Sequence, residues 1–474
     1  MSATASEAHP AATGGPRSGA RMPVVAMAAS LAAVGAASAW LLSGSVLSAL
    51  LGAACGAAAP WIAREPRVGL IAILFALPLD RYGRLTVQPV ILTAYHALLV
   101  LTLASWIWGM VRRRERVRWS AVDVGMAVLL FAALWSLPLS MDRSATAVAV
   151  VRIAFSVALV ALFSNLVTDE RWARRILVAF AVTAVVSALI AFAQYWVPGF
   201  PIDMPNTVVT ADGTVLARAR GLFKDANYLG ALMAVALVGF AAAASHARSW
   251  ARAGLWLAGA GVCGVALYLT MSRGSWIGAV AGLAGAALTA PPRRRAVIVA
   301  ASAGLLVVAV LLAPAALRDR MVSSFDLERD ESAATRFYMY ASTAEMAKDH
   351  PVFGVGLAAF DAAYPPYRLP GTMESIVEPH EVPVALVAET GLAGVLAQIA
   401  LVAGVVMELR RRRGTARTLY GSVAVAGLAF FAAGVFFEYF LYVEYLWMLL
   451  ALAVVAGRIM PAGTVALADG GVAP

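Results

Sequence analysis

Residues 225–290 hold three apolar runs and little else: DANYLGALMAVALVGFAAAASH (225–246), AGLWLAGAGVCGVALYLTM (253–271) and GSWIGAVAGLAGAALTA (274–290). Each is close to the ~20 apolar residues a helix needs to cross the hydrocarbon core of a bilayer. Arg248 and Arg252 stand between the first two. The second and third are parted only by the turn Met271-Ser272-Arg273-Gly274-Ser275-Trp276. Apolar run, basic turn, apolar run, tight turn is a membrane hairpin pattern, and it extends in both directions.

Working outward, the same criteria give fourteen apolar segments, near 24–42, 46–63, 67–79, 89–111, 122–139, 145–167, 173–197, 225–246, 253–271, 274–290, 296–315, 382–407, 418–437 and 439–457. Arginine clusters follow the even-numbered spans: Arg64/Arg67, Arg112–Arg114 with Arg116 and Arg118, Arg171/Arg174/Arg175, Arg248/Arg252, Arg293–Arg295 and Arg410–Arg413. Cytoplasmic loops retain Lys and Arg, so this alternation predicts a cytoplasmic N-terminus and C-terminus. The fold class expected is an all-α integral membrane bundle of about 12–14 transmembrane helices with a large, partly helical external loop.

Composition agrees. The 474 residues are 61% hydrophobic and only 14% charged, against roughly 25% charged in a soluble domain. The net charge of +10 reads as a topology signal rather than a nucleic-acid footprint, so no nucleic-acid partner is expected. Cys55 and Cys263 both fall inside apolar spans, which gives no disulfide framework or zinc spacing. The organisation predicted is a disordered cytoplasmic segment over 1–22, spans over 23–315, an external loop over 316–381, spans over 382–460 and a disordered tail over 461–474.

Within the long connection, 333–348 reads as a helix, with Phe337, Tyr340, Ala344 and Ala347 recurring at helical spacing. His350-Pro351 ends it, and Gly354-Val355-Gly356 follows as a turn.

Chemistry is expected where charge defies the topology rule. Arg218, Arg220 and Lys224 precede the eighth span, Arg273 sits in a tight outer turn, and Arg336 lies on the loop helix. A guanidinium near the outer surface suits an anionic ligand, because it binds phosphate bidentately; an ion pair or a lipid headgroup is the bland alternative. His380, between Glu378-Pro379 and Glu381, lies where the long loop re-enters the membrane, and Glu389 follows in the span. A near-neutral imidazole beside carboxylates can take a proton from an alcohol, though it can also be an ordinary helix-start histidine. His96 is expected to pack or bond within the bundle. Arg152, Glu438 and Glu444 are charges in or near spans, which are functional candidates by default. No Gly-rich phosphate loop, His pair or Gly-x-Ser-x-Gly turn occurs, so no metal and no cofactor is expected.

Four of these stretches resemble the bacterial O-antigen ligase and O-antigen polymerase superfamily. They are Arg220-Gly221-Leu222-Phe223 with Asn227-Tyr228-Leu229-Gly230, Ser272-Arg273-Gly274-Ser275-Trp276, Thr335-Arg336-Phe337 with Asp349-His350-Pro351-Val352-Phe353-Gly354-Val355-Gly356, and His380-Glu381 with Glu389-Thr390-Gly391-Leu392-Ala393-Gly394. The sequence departs from that family in having Glu381 after the histidine, where Asn or Ser is usual, and in two extra N-terminal spans.

The resemblance implies a polytopic glycosyltransferase of the bacterial inner membrane with an external, periplasmic site. It would move a glycan from polyprenyl diphosphate to an acceptor hydroxyl on a glycan or glycolipid, in O-antigen or exopolysaccharide synthesis. A flippase and a chain-length regulator would be its pathway neighbours. On this reading His380 is the base, Arg220 and Arg273 meet the diphosphate, and Arg336, Arg218, Lys224, Asn227, Glu381 and Glu389 are substrate-binding candidates. Arg220 and Arg273 are expected to converge near His380. Ligase and polymerase need the same residues. The rival from another class is a lipid-linked oligosaccharide flippase, which would show polar mid-span residues or paired broken helices.

Overall fold

Helix starts in this chain are written in short polar caps. Ser120 and Asp123 form a reciprocal box at α5 (Ala121–Ser136), with the Asp123 N–H donating to Ser120 Oγ at 3.2 Å and the Ser120 N–H donating to Asp123 Oδ2 at 2.7 Å. Asp142, Asp169, Asp225 and Ser249 accept in the same way at α6 (Arg143–Leu166), α7 (Glu170–Trp196), α8 (Ala226–Ser245) and α9 (Trp250–Thr270). Asp169 also meets Arg67 at 3.4 Å, which ties α7 to the start of α3 (Pro66–Ala76).

The computed structural model describes residues 22–43, 46–79, 85–87, 90–202, 204, 207–209, 215–296, 299, 331–369, 381–411, 414–435 and 441–459. The remaining helices are α1 (Met22–Ser43), α2 (Val46–Arg64), α4 (Ala94–Arg113), α10 (Arg273–Thr289), α11 (Glu331–Asp349), α12 (Phe360–Ala363), α13 (Val382–Arg410), α14 (Leu419–Gly434) and α15 (Glu444–Ile459). Among the described residues six helices, α4, α6, α7, α8, α9 and α13, are long and apolar enough to cross a membrane, and shorter apolar helices stand beside them. The protein is an all-α polytopic membrane bundle. The span expected over 296–315 falls almost wholly outside the described residues, as do His380 and Glu438.

Two short hairpins interrupt the helical pattern. The span expected to start near residue 89 begins instead at Ala94. Val90–Leu92 (β2) pairs antiparallel with Leu85–Val87 (β1), and Thr93 then starts the helix. The β-branched pair Val90-Ile91 favours a strand over a first helical turn. Thr207–Val209 (β3) and Val215–Ala217 (β4) pair likewise in the connection before α8.

The core is built on close backbone approach, as expected where lipid removes the usual hydrophobic drive between helices. α8 is buried almost all round and packs on α9, α10 and α14. A Cβ at Gly282 would fall 2.6 Å from Val238 Cγ1, and one at Gly278 2.5 Å from Phe430. Thr289 on α10 and Ser422 on α14 share a hydroxyl bond of 2.6 Å. α1 and α2 pair through Gly35, Gly52 and Gly56, where an added Cβ would meet a facing carbonyl oxygen at about 2.2 Å. Leu392, Leu396, Ile399 and Val402 leave an exposed apolar stripe along α13, which suits contact with lipid chains. Both cysteines are free thiols.

The loop helix covers the predicted stretch, but its buried face differs. Met339, Ser342, Thr343 and Met346 are buried, while Tyr340 and Ala344 are exposed. Two polar residues sit on the inner face, so the apolar periodicity pointed to the wrong one. Met339 and Met346 pack with Val355, Phe360, Ala363, Tyr364 and Ala388 in a small core separate from the main one. Ser342 Oγ donates to the Tyr367 carbonyl at 2.9 Å, and Tyr367 Oη donates to Asp349 Oδ2 at 2.8 Å, a bond that raises the phenol's pKa.

Candidate functional site

The segment before α8 is fixed from two sides. The N–H groups of Arg220 and Gly221 both donate to the buried Gln194 Oε1 of α7, at 3.0 and 2.9 Å. The Ala219 N–H donates to the Leu269 carbonyl at 3.0 Å. Gly221 has φ +56, a turn that a side chain resists. Arg218 Nε donates to the Thr270 carbonyl at 2.7 Å, and its terminal nitrogen donates to Asn227 Oδ1. Thus Arg218, singled out from sequence like Asn227, joins Asn227 to the end of α9.

That end runs into the second motif. Met271 takes φ +51, Ser272 Oγ donates to Ser275 Oγ at 3.0 Å, and Arg273 opens α10 partly buried. Gly230 lies so close that a Cβ there would meet Ser275 Oγ at 2.9 Å. The two arginine-bearing segments are therefore neighbours. Arg220 is only 2% exposed.

The third and fourth motifs are partners of a different kind. α13 breaks at Gly391, with φ +58 and ψ −146. A continuous helix would bond the Leu392 N–H to Ala388 and the Ala393 N–H to Glu389. Here those N–H groups donate to the carbonyls of Pro351 (2.9 Å) and Val352 (3.1 Å), while the Ala388 and Glu389 carbonyls accept from Val355 (3.0 Å) and Gly356 (2.9 Å). Loop 351–356 is inserted into the helix ladder and satisfies all four groups. On its other side the Met141 N–H donates to the Val355 carbonyl at 2.9 Å, and Thr146 Oγ1 donates to the Leu357 carbonyl at 2.7 Å, so the loop also grips the α5–α6 turn. Gly354 and Gly356, at φ +64 and +109, lie against Glu389 and Ser140, where any Cβ would be within 2.5 Å of another atom.

Glu381 is fully buried at the start of α13, and the adjacent Val382 N–H donates to the Val435 carbonyl at 3.1 Å, close after α14. Glu389 is 3% exposed, about 12 Å further along the helix axis. Arg336 lies on α11, and its side chain is outside the described residues.

A cavity of about 300 Å³ opens at the same end of the bundle, among α4, α6, α8 and α15. Its walls include Thr93, Tyr95, His96, Arg152, Lys224, Tyr228, Tyr442 and Glu444. Arg152 lies 4.0 Å from the Tyr442 ring centroid, and among the described residues its guanidinium makes no hydrogen bond or ion pair. Lys224 Nζ is 4.5 Å from the Tyr228 ring, and Tyr445 Oη donates to the Tyr228 carbonyl at 2.6 Å. The Thr93 N–H donates to His96 Nδ1 at 3.1 Å, which leaves Nε2 to carry the proton of the neutral ring. Two cations, several hydroxyls and one carboxylate, Glu444, thus line a single cavity.

Arg152 and Glu444 are legible in the sequence as charges in or near spans, but their meeting at one cavity is not. Tyr95, Tyr442 and Gln194 carry no motif that marks them; for Gln194 the one sequence signal is a glutamine inside an apolar span. Among the described residues no cluster of His, Cys, Asp and Glu could hold a metal ion.

A sequence model of the O-antigen ligase family matches residues 258–399. The match begins within α9, takes in the Ser272-Arg273-Gly274 turn and the loop helix, and ends within α13. No curated protein matches the chain.

Proposed function

We propose, on the premise that residues 258–399 make this chain a member of the O-antigen ligase and polymerase superfamily, that it transfers a glycan from a polyprenyl diphosphate to an acceptor hydroxyl. The observation that carries the proposal is the cavity lined by Arg152 and Lys224, into which the first motif segment also places Phe223 and Tyr228.

The donor's diphosphate sits in that cavity, against Arg152 and Lys224. Its polyprenyl tail leaves between spans into the bilayer. His380 takes the proton of the acceptor hydroxyl as that oxygen attacks the anomeric carbon. The bond from carbon to diphosphate oxygen breaks, and the leaving group departs with the electron pair and one more negative charge. Arg220 and Arg273, on neighbouring segments, stabilise that charge. A preorganised donor in a water-poor site is worth roughly 2.7–4 kcal/mol in the transition state. Arg218 and Asn227 act as a strap that holds this arrangement in register. The site faces the outside of the inner membrane, with both termini cytoplasmic, a reading supported by the alternation of the arginine clusters.

The test is a transfer assay with purified protein and polyprenyl-diphosphate glycan, without nucleotide or added metal. Wild type is expected to give product whose size distinguishes one ligation from polymerisation. His380→Ala is expected to lose ~10²–10⁴-fold in rate, the usual worth of a positioned base. Arg152→Gln is expected to raise the donor KM. No product from wild type across a range of acceptors, with the donor moved chemically unchanged between leaflets, would establish the flippase reading instead. Against that reading, the break in α13 is filled by the protein's own loop and contributes no residue to the cavity.

A further inference from the structure

A second polar cavity, of about 290 Å³, lies at the other end of α4 and α6. α4 reaches the first cavity through Tyr95 and His96 and the second through Trp106, Met110 and Arg113, so the two are roughly 20–25 Å apart along its axis. The second is strongly basic. Arg64, Arg67, Arg113, Arg116 and Arg118 line it against only Glu65 and Glu115.

Those carboxylates are already used. Glu65 meets Arg67 at 3.6 Å, and Glu115 meets Arg113 at 3.1 Å. Among the described residues the guanidinium groups of Arg64, Arg116 and Arg118 have no hydrogen-bond or ion-pair partner. The rim that bears them is fixed by its backbone. The Arg118 N–H donates to Asn165 Oδ1 at 2.8 Å, and the Arg118 carbonyl accepts from Arg458 at 2.8 Å. Trp106, Met110 and Leu166 supply apolar wall, and Trp61, one turn before Arg64 on α2, is exposed apolar surface.

We propose that this cavity holds the phosphate headgroup of an anionic membrane lipid. Phosphate suits converging guanidinium groups, which bind it by paired charge-assisted bonds. A lipid rather than a soluble phosphate suits the setting, because basic pockets between transmembrane helices take anionic headgroups and the exposed Trp61 offers a surface for an acyl chain. The fixed rim lowers the ordering cost of binding. The inference is independent of the transfer reaction.

Native mass spectrometry of the full chain tests it, with phosphatidylglycerol, cardiolipin or phosphatidylcholine added. Wild type is expected to retain one anionic lipid in preference to phosphatidylcholine. Arg116→Gln/Arg118→Gln is expected to weaken retention by at least about tenfold, the scale of lost charge-assisted bonds. Arg112→Gln/Arg114→Gln removes the same charge from the end of α4, outside the cavity lining, and is expected to leave retention unchanged. Melting in phosphatidylcholine alone checks that both variants fold. Equal losses in the two variants would reduce the effect to general attraction and overturn the site. Displacement of the lipid by millimolar inorganic phosphate would overturn the lipid assignment in favour of a soluble anion. No preference between lipids would overturn the proposal outright.

Discussion

Gly391, with φ +58 and ψ −146, occupies a backbone region that is in effect reserved for glycine. A Cβ there would also stand 2.7 Å from the Pro351 carbonyl oxygen. Gly391→Ala is therefore expected to lose about 1–3 kcal/mol from backbone strain alone, read as a lowered melting temperature in detergent. Gly239→Ala is the contrast, since its nearest neighbour would be Val423 Cγ1 at an ordinary 3.7 Å, and no fall is expected. Both glycines sit in apolar runs and look alike in the sequence. Only the loop threaded into α13 separates them, and that contact joins residues some 40 positions apart. Arg152 shows the same limit. Its position in a span was legible, but the face of α6 it occupies depends on which helices surround it.

At the scale of elements, α11 and the turns after it form a small core on α13 rather than extending the bundle. Met339 and Met346 are fully buried there. Met346→Ala is expected to cost about 2–5 kcal/mol locally, the usual range for such a core deletion. Hydrogen exchange should rise across residues 331–369 while α8 keeps its protection. Uniform change across both regions would mean that the loop and bundle unfold as one unit. The existence and ends of α11 were legible, because His350-Pro351 stops a helix in any setting. Its inner face was not, since Ser342 and Thr343 are buried there.

Taken whole, the molecule has two chemically different ends. One holds the cavity with Arg152 and the segment that leads into α8; the other holds the basic cavity lined by Arg64, Arg67, Arg113, Arg116 and Arg118. Span after span was legible, since long apolar runs admit few alternatives. Which spans form the centre was not. An apolar surface against lipid looks like an apolar surface against protein, so buried α8 and the lipid-facing stripe of α13 share a composition. Orientation is directly testable with single cysteines in a background lacking Cys55 and Cys263. A membrane-impermeant maleimide is expected to label Ala362→Cys in intact cells, and Arg248→Cys only after permeabilisation. The reverse pattern would invert the arginine-based assignment and move the proposed transfer site to the cytoplasm.

The loop stitched into α13 has a consequence for biogenesis. Four backbone groups of that helix bond to residues 351–356 instead of to one another. Left open in hydrocarbon, each would cost several kcal/mol. The loop precedes α13 in the chain, so it has left the ribosome before the helix it must complete. Partition of α13 from the translocon into lipid then waits on a docking event outside the bilayer. Lesions in 351–356 should accordingly reach the cell first as failed insertion and turnover by quality-control proteases, ahead of any defect in chemistry.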